Sequence, residues 1–202
     1  IPYGFESVSI TWWQEFRDAP PSKIADGVRR MTEGNGVKVS SISPFGNALE
    51  YDAAGETARK NFEEAIDRAA DFGTDLVTGF SGRLRGKSVP ECIGRLKEVW
   101  TPLLERAASK NVRIAFENCT MGGNWNSGDW NIAINPDAWE LIFEALPAKN
   151  LGLQWEPCHQ MTQLIDPMPQ IREWGHRFFN IHGKDATIRH DIIAKHGFGG
   201  RE

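Results

Sequence analysis

The stretch NLGLQWEPCHQM, residues 150–161, decides how this chain is read. Leu151, Leu153 and Trp155 alternate with Gly152, Gln154 and Glu156, the two-residue period of a strand with one apolar and one non-apolar face. The non-apolar face ends on Glu156, Pro157 follows at once, and His159 stands three residues beyond the carboxylate. Two other stretches repeat the pattern. In VRIAFEN (112–118), Ile114 and Phe116 oppose Arg113, Ala115 and Glu117. In FFNIHGK (178–184), Phe179 and Ile181 oppose Phe178, Asn180, His182 and Lys184. If the apolar sets pack on helices, Glu117, Glu156 and His182 all face the opposite side of the sheet, at the C-terminal ends of their strands.

Working outward, SVSIT (7–11), VKVSSIS (37–43) and DLVTGF (75–80) also read as strands. Amphipathic segments lie between the later ones. ETARKNFEEAIDRAADFG puts Phe62, Ala65, Ile66, Ala69 and Phe72 on one stripe and ends on Gly73 as C-cap. PECIGRLKEVWTPLLERAASKN gathers Ile93, Leu96, Trp100, Leu103 and Leu104, with a kink expected at Pro102. NPDAWELIFEAL opens on Asn135 as N-cap and Pro136 at the first helical position, and DPMPQIREWG is a shorter helix. Strand markers at Val8, Val37, Leu76, Arg113, Gly152 and Phe179 are spaced by 29, 39, 37, 39 and 27 residues, the rhythm of right-handed βαβ units in a parallel sheet. No linker or composition shift interrupts residues 1–202, which read as one domain. No glycine-rich phosphate loop follows any strand, so a barrel is favoured over a doubly wound sheet. A (β/α)8 barrel has eight strands, however, and six are counted.

Composition narrows the function classes. Of 202 residues, 40% are apolar and 25% charged, the balance of a globular domain with a sizeable core. The net charge of -4, without a basic run, argues against nucleic acid as a partner. No apolar run approaches the roughly 18–20 residues needed to cross a bilayer. Three cysteines without C-x-x-C spacing argue against a disulfide framework or a structural zinc module, and a reducing cytoplasm is the simplest home. The first residue is Ile1 rather than Met, so upstream residues are expected to have been removed or not represented.

Two carboxylates and an imidazole brought to one place repel, or stay unsatisfied, unless a cation bridges them. A shell of mostly oxygen with one nitrogen suits Mn2+, Mg2+ or Co2+, and admits Zn2+. The ordered pieces IAFEN, LGLQWEPCH and NIHGKDA, with VKVSSISPFGN and FGTDLVTGFSG upstream, resemble the sugar phosphate isomerase/epimerase family with the xylose isomerase-like TIM barrel. The resemblance covers nearly the whole chain. It implies an α/β fold, a (β/α)8 TIM barrel represented here without its first and last strands. It implies one divalent metal ion per site, Mn2+ favoured, held by Glu117, Glu156 and His182 and by a later Glu that has no counterpart here. It casts Glu117 also as the catalytic base, and His159, Lys184 and Asp185 as substrate-binding residues. The implied activity is that of a metal-dependent isomerase or epimerase of a sugar, sugar phosphate or polyol, by proton transfer next to a carbonyl through an enediolate. An inosose dehydratase-like lyase on the same scaffold is the alternative, ahead of an endonuclease IV-like phosphodiesterase or a non-catalytic barrel. The partner is a small molecule, and homo-oligomerisation is left open. The family more often carries Asp where this chain has Glu156, and Glu202, closing the glycine-rich HGFGGRE, is not taken as the missing ligand.

Plainer readings stand beside these. Glu117 and Glu156 are also placed to pair with Arg113 or Lys184, and His159 to cap a helix after Pro157. Cys119 and Cys158, each two residues past a proposed ligand, read first as inert small core residues and second as soft ligands. Trp125 or Trp130 is a candidate to line a sugar pocket, and Asn47 to touch substrate.

Overall fold

Six strands, β1 (Ser7–Thr11), β2 (Lys38–Ser43), β3 (Leu76–Gly79), β4 (Arg113–Glu117), β5 (Leu151–Trp155) and β6 (Phe178–Ile181), pair in parallel in their chain order. The computed structural model describes residues 4–11 and 21–197, so Glu202 lies outside the described residues. Helices α1 (Pro21–Glu33), α2 (Ala53–Arg68), α3 (Val89–Ser109) and α4 (Pro136–Ala145) each connect one strand to the next. Two short helices, α5 (Pro157–Met161) and α6 (Pro167–Trp174), join β5 to β6, and α7 (His190–His196) follows. When every crossover returns to the adjacent position the sheet winds in one direction, as a barrel wall does; a doubly wound sheet reverses its order part-way. Among the described residues β1 and β6 each have one bonded neighbour, so the sheet is a curled arc of six strands with flanking helices.

The outward faces are apolar for the reason the alternation gives. Phe116 meets the edge of Trp100 at 4.6 Å, and Trp100 meets Phe62 of α2 at 4.8 Å, so β4 packs against the helix layer through aromatic contacts. Trp155 stacks on Phe178 at 4.9 Å, and its indole N–H donates to Gln170 of α6 at 2.8 Å. Asn135 caps α4 by accepting from the Ala138 amide, and Gly73, at φ +75°, ends the 3-10 turn that prolongs α2. Helix α3 runs on through Pro102 to Ser109.

Two pairings depart from simple register, β1 with β2 at Val8–Ser9 and β5 with β6, and the second bears on the site. Leu153 pairs with Phe178 but Gln154 pairs with Asn180, so β6 spends two residues where β5 spends one. This bulge exchanges the expected sides of two rings. Phe178 turns outward onto Trp155 and Trp139, whereas Phe179 turns inward beneath Gly152 and beside the Arg113 guanidinium. Beyond the bulge, Asn180 and His182 keep the inner face, and the His182 amide continues the ladder by donating to the Trp155 carbonyl at 2.9 Å.

Gly152 is where this arrangement is most sensitive. A Cβ there would come within 2.5 Å of the Arg177 carbonyl oxygen and 2.7 Å of the Phe179 ring. Backbone cannot yield as a flexible side chain can, so Gly152→Ala is expected to cost about 1–3 kcal/mol. A lowered urea midpoint would report the loss, and an unchanged midpoint would show that β6 does not press on β5 there.

Candidate metal centre

Glu117 ends β4 and Glu156 follows β5, two neighbouring strands whose inner faces reach the same end of the arc. Asn118, the next residue of β4's chain, fixes their relative height. Its amide oxygen accepts from the Glu156 amide at 2.8 Å, and its amide nitrogen donates to the Glu156 carbonyl at 3.0 Å. Asn131 does the equivalent for Glu117, donating to the carbonyls of Glu117 and Cys119 at 2.7 and 2.8 Å. Both asparagines are fully buried, so these bonds work without competition from water.

Pro157 occupies the first position of α5 and starts a helical turn directly at the strand end. Residues three apart share a helix face, so His159 folds back over the carboxylate it follows, its Nε2 lying 2.7 Å from Glu156 Oε1. The same oxygen accepts from Lys184 Nζ at 2.9 Å and from the Cys158 thiol at 3.1 Å, and Glu156 Oε2 lies 2.9 Å from His182 Nδ1. Glu117 is served differently. Its Oε2 accepts from Gln154 Nε2 at 2.8 Å, and Gln154 Oε1 in turn accepts from Asn180 at 2.8 Å, while Oε1 stands 4.0 Å from His159 Nε2.

The electrostatics separate the two acids. Burial, and then the charge of Glu156, push the Glu117 carboxyl above the ordinary range. Burial also works against the charge of Glu156, but the bonds from His159, His182, Lys184 and Cys158 outweigh it and hold that carboxyl well below the ordinary range. Cys119, and then Glu156, push the His159 imidazole up to about 9, and burial, followed by its bond to Glu156, pushes the Cys158 thiol up to about 11.

Glu117, Glu156 and His182 thus each present a ligand atom, all within 4.8 Å of one another. Two further triads meet the same limit, Glu117–Cys119–His159 and Glu156–Cys158–His159. The donor set fits a divalent cation: buried carboxylates that repel, an imidazole beside them, and ligand atoms close enough to share one ion. Lys184 joins this group through Glu156. Asp185 does not: it is exposed, and its carboxylate accepts from the adjacent Ala186 amide. Arg113 pairs with Asp75 rather than with either glutamate.

Asn47 has no side-chain capacity left for a substrate. It donates to the carbonyls of Arg83 and Asp129 and accepts from the amides of Leu49 and Arg83, tying the loops after β2, β3 and β4 together. Arg83, fully buried, completes that knot by donating to the carbonyls of Lys87, Asn124 and Trp125. Trp125 packs against the core, and Trp130 is exposed. The roles of Asn118, Asn131 and Gln154 were not read from the sequence; the one signal was Gln154, which shares the parity of Glu156.

The sequence matches the family model described as the xylose isomerase-like TIM barrel over residues 2–199. The chain belongs to that family. Solved structures superimpose on it at low identity. A D-tagatose 3-epimerase-like protein gives a TM-score of 0.72 at 16% identity, covering 92% of this chain and 69% of its own. The probable 3-DHS dehydratase AsbF from Bacillus anthracis gives 0.70 at 13%, with 94% and 67% covered. The IOLI protein, solved with a zinc atom, gives 0.67 at 15%, with 89% and 63% covered. This xylose isomerase-like chain therefore spans about two thirds of the length of these structures. No curated protein matches its sequence. No helix among the described residues is long and apolar enough to cross a membrane.

Proposed function

We propose that this chain carries the site of a divalent-metal-dependent isomerase or epimerase acting on a sugar, sugar phosphate or polyol, by proton transfer next to a carbonyl. The observation that carries the reading is the convergence of Glu117, Glu156 and His182 at the C-terminal end of parallel strands, where barrel enzymes hold their chemistry. These three residues would hold the ion, which would supply Lewis-acid polarisation of a substrate carbonyl. Glu117 takes the proton from carbon, and Gln154 holds one of its oxygens in place. His159 and Lys184 lie at the mouth of the same cluster, placed to bond substrate hydroxyls and to offset charge that develops on oxygen. Asp185, which bonds its own loop, is left to shape the turn.

The named relatives support a sugar-directed reading, since one is called a D-tagatose 3-epimerase-like protein. The dehydratase among them keeps a lyase as the second reading. Incubating the protein with Mn2+ and a panel of keto-sugars and inosose in D2O separates the two. Deuterium beside the carbonyl with an isomeric product supports the isomerase, whereas loss of water supports the lyase. Finding neither exchange nor loss of water with any compound would defeat both.

The metal assignment has its own test. His182→Ala is expected to reduce bound divalent metal about 10–100-fold in affinity, at least what loss of a supporting contact costs. Full occupancy in that variant, by elemental analysis, would remove His182 from the ligand set.

A further inference from the structure

Two thiols stand among the oxygen and nitrogen donors, and the ligand-set reading above uses neither. Cys119 shares a 4.8 Å neighbourhood with Glu117 and His159, and Cys158 shares one with Glu156 and His159. Their situations differ. The Cys158 thiol already donates to Glu156 Oε1, an oxygen that also takes His159 and Lys184, so an ion there must displace an ammonium group. Glu117 Oε1 carries no such load. It stands 4.0 Å from His159 Nε2, beyond hydrogen-bond reach. Bonds of about 2.0–2.2 Å from one tetrahedral zinc to a nitrogen and an oxygen set those two atoms about 3.3–3.6 Å apart. A small inward movement therefore closes the gap once the ion takes His159 Nε2 from Glu156 Oε1, which it meets at 2.7 Å, and no ammonium group has to leave. The backbone beside the thiol is also held, because Asn131 clasps the carbonyls of both Glu117 and Cys119.

We infer that Glu117, Cys119 and His159 form a sulfur-bearing cation position beside the oxygen-rich one, so that a thiophilic divalent ion binds this chain through the Cys119 thiolate. Thiolate and imidazole suit zinc-like ions, whereas carboxylates suit manganese and magnesium, so the two positions sort metals by softness while sharing Glu117. The inference deepens the metal reading above but does not use His182.

Cobalt reports the difference directly, because thiolate ligation adds a near-ultraviolet charge-transfer band that oxygen and nitrogen ligands do not produce. Apo-protein titrated with Co2+ is expected to show the band in the wild type, Cys158→Ser and His182→Ala, and to lose it in Cys119→Ser. Zinc affinity, by competition with a chromophoric chelator, should fall about 10-fold or more in Cys119→Ser and change little in Cys158→Ser. A wild type without the band, whether or not cobalt binds, overturns the inference, as does a band that survives in Cys119→Ser. A band present in wild type together with unchanged metal content in His182→Ala would keep this position and defeat the Glu117–Glu156–His182 set instead.

Discussion

Glu117→Gln is expected to slow solvent-deuterium incorporation beside the substrate carbonyl by about 10²–10⁴-fold, the range a positioned general base supplies. The substitution is nearly isosteric, and its amide oxygen still accepts from Gln154, so the contacts of β4 and β5 persist. Its effect on the fold has a definite sign. Glu117 holds its proton more tightly in the folded metal-free protein than in the unfolded chain. Its contribution to stability is therefore present at low pH and lost as pH rises through the folded value. Glu156, shifted the other way, contributes stability above the unfolded carboxylate value and loses it as pH falls. Removing the Glu117 charge should leave the metal-free protein at neutral pH as stable as the wild type or more so. Unchanged exchange would strip Glu117 of the base role, and a collapse in melting temperature would mean that its charge is needed for folding.

The largest loss of stability is expected from Trp100→Ala. The indole is fully buried between Phe62 and Phe116, and its N–H donates to the Ser81 carbonyl at 2.7 Å. Truncation opens a cavity behind β4 at a typical cost of about 3–5 kcal/mol, a large share of the roughly 5–15 kcal/mol a domain has. The damage also reaches the site. Ser81 bonds the Asn131 side chain through its amide and hydroxyl, and Asn131 holds the carbonyls of Glu117 and Cys119. Trp100→Phe separates the two effects: it keeps most of the packing but orphans the Ser81 carbonyl, for about 1–3 kcal/mol. Denaturant unfolding of both variants checks this. A Trp100→Ala loss below about 1 kcal/mol would show that the core behind β4 can collapse around the gap.

What could be read without coordinates was whatever depends on short-range chemistry. Alternation along 112–118 and 151–156 placed Ile114, Phe116 and Trp155 toward the helices and Glu117 and Glu156 away from them, because successive side chains of a strand point to opposite sides. Asn135, Pro136 and Gly73 marked helix ends because capping and positive φ are single-residue properties. The strand spacing announced a parallel sheet, and the motif order announced the barrel family.

Longer-range geometry had to be built by packing. The two-for-one register at Phe178–Asn180 swaps two rings between faces, and nothing within FFNIHGK marks the bulge, which arises only from pairing with β5. Asn47 looked available in sequence and proves to be spent on loop contacts. Arg83 and Asn131 looked unremarkable, yet they knit loops more than 40 residues apart. Above all, the strand pattern said which side Glu117, Glu156 and His182 face, but not how near they come. Local periodicity determines direction, whereas sheet curvature and the amide clamps of Asn118 and Asn131 determine distance, and both exist only once the chain is folded.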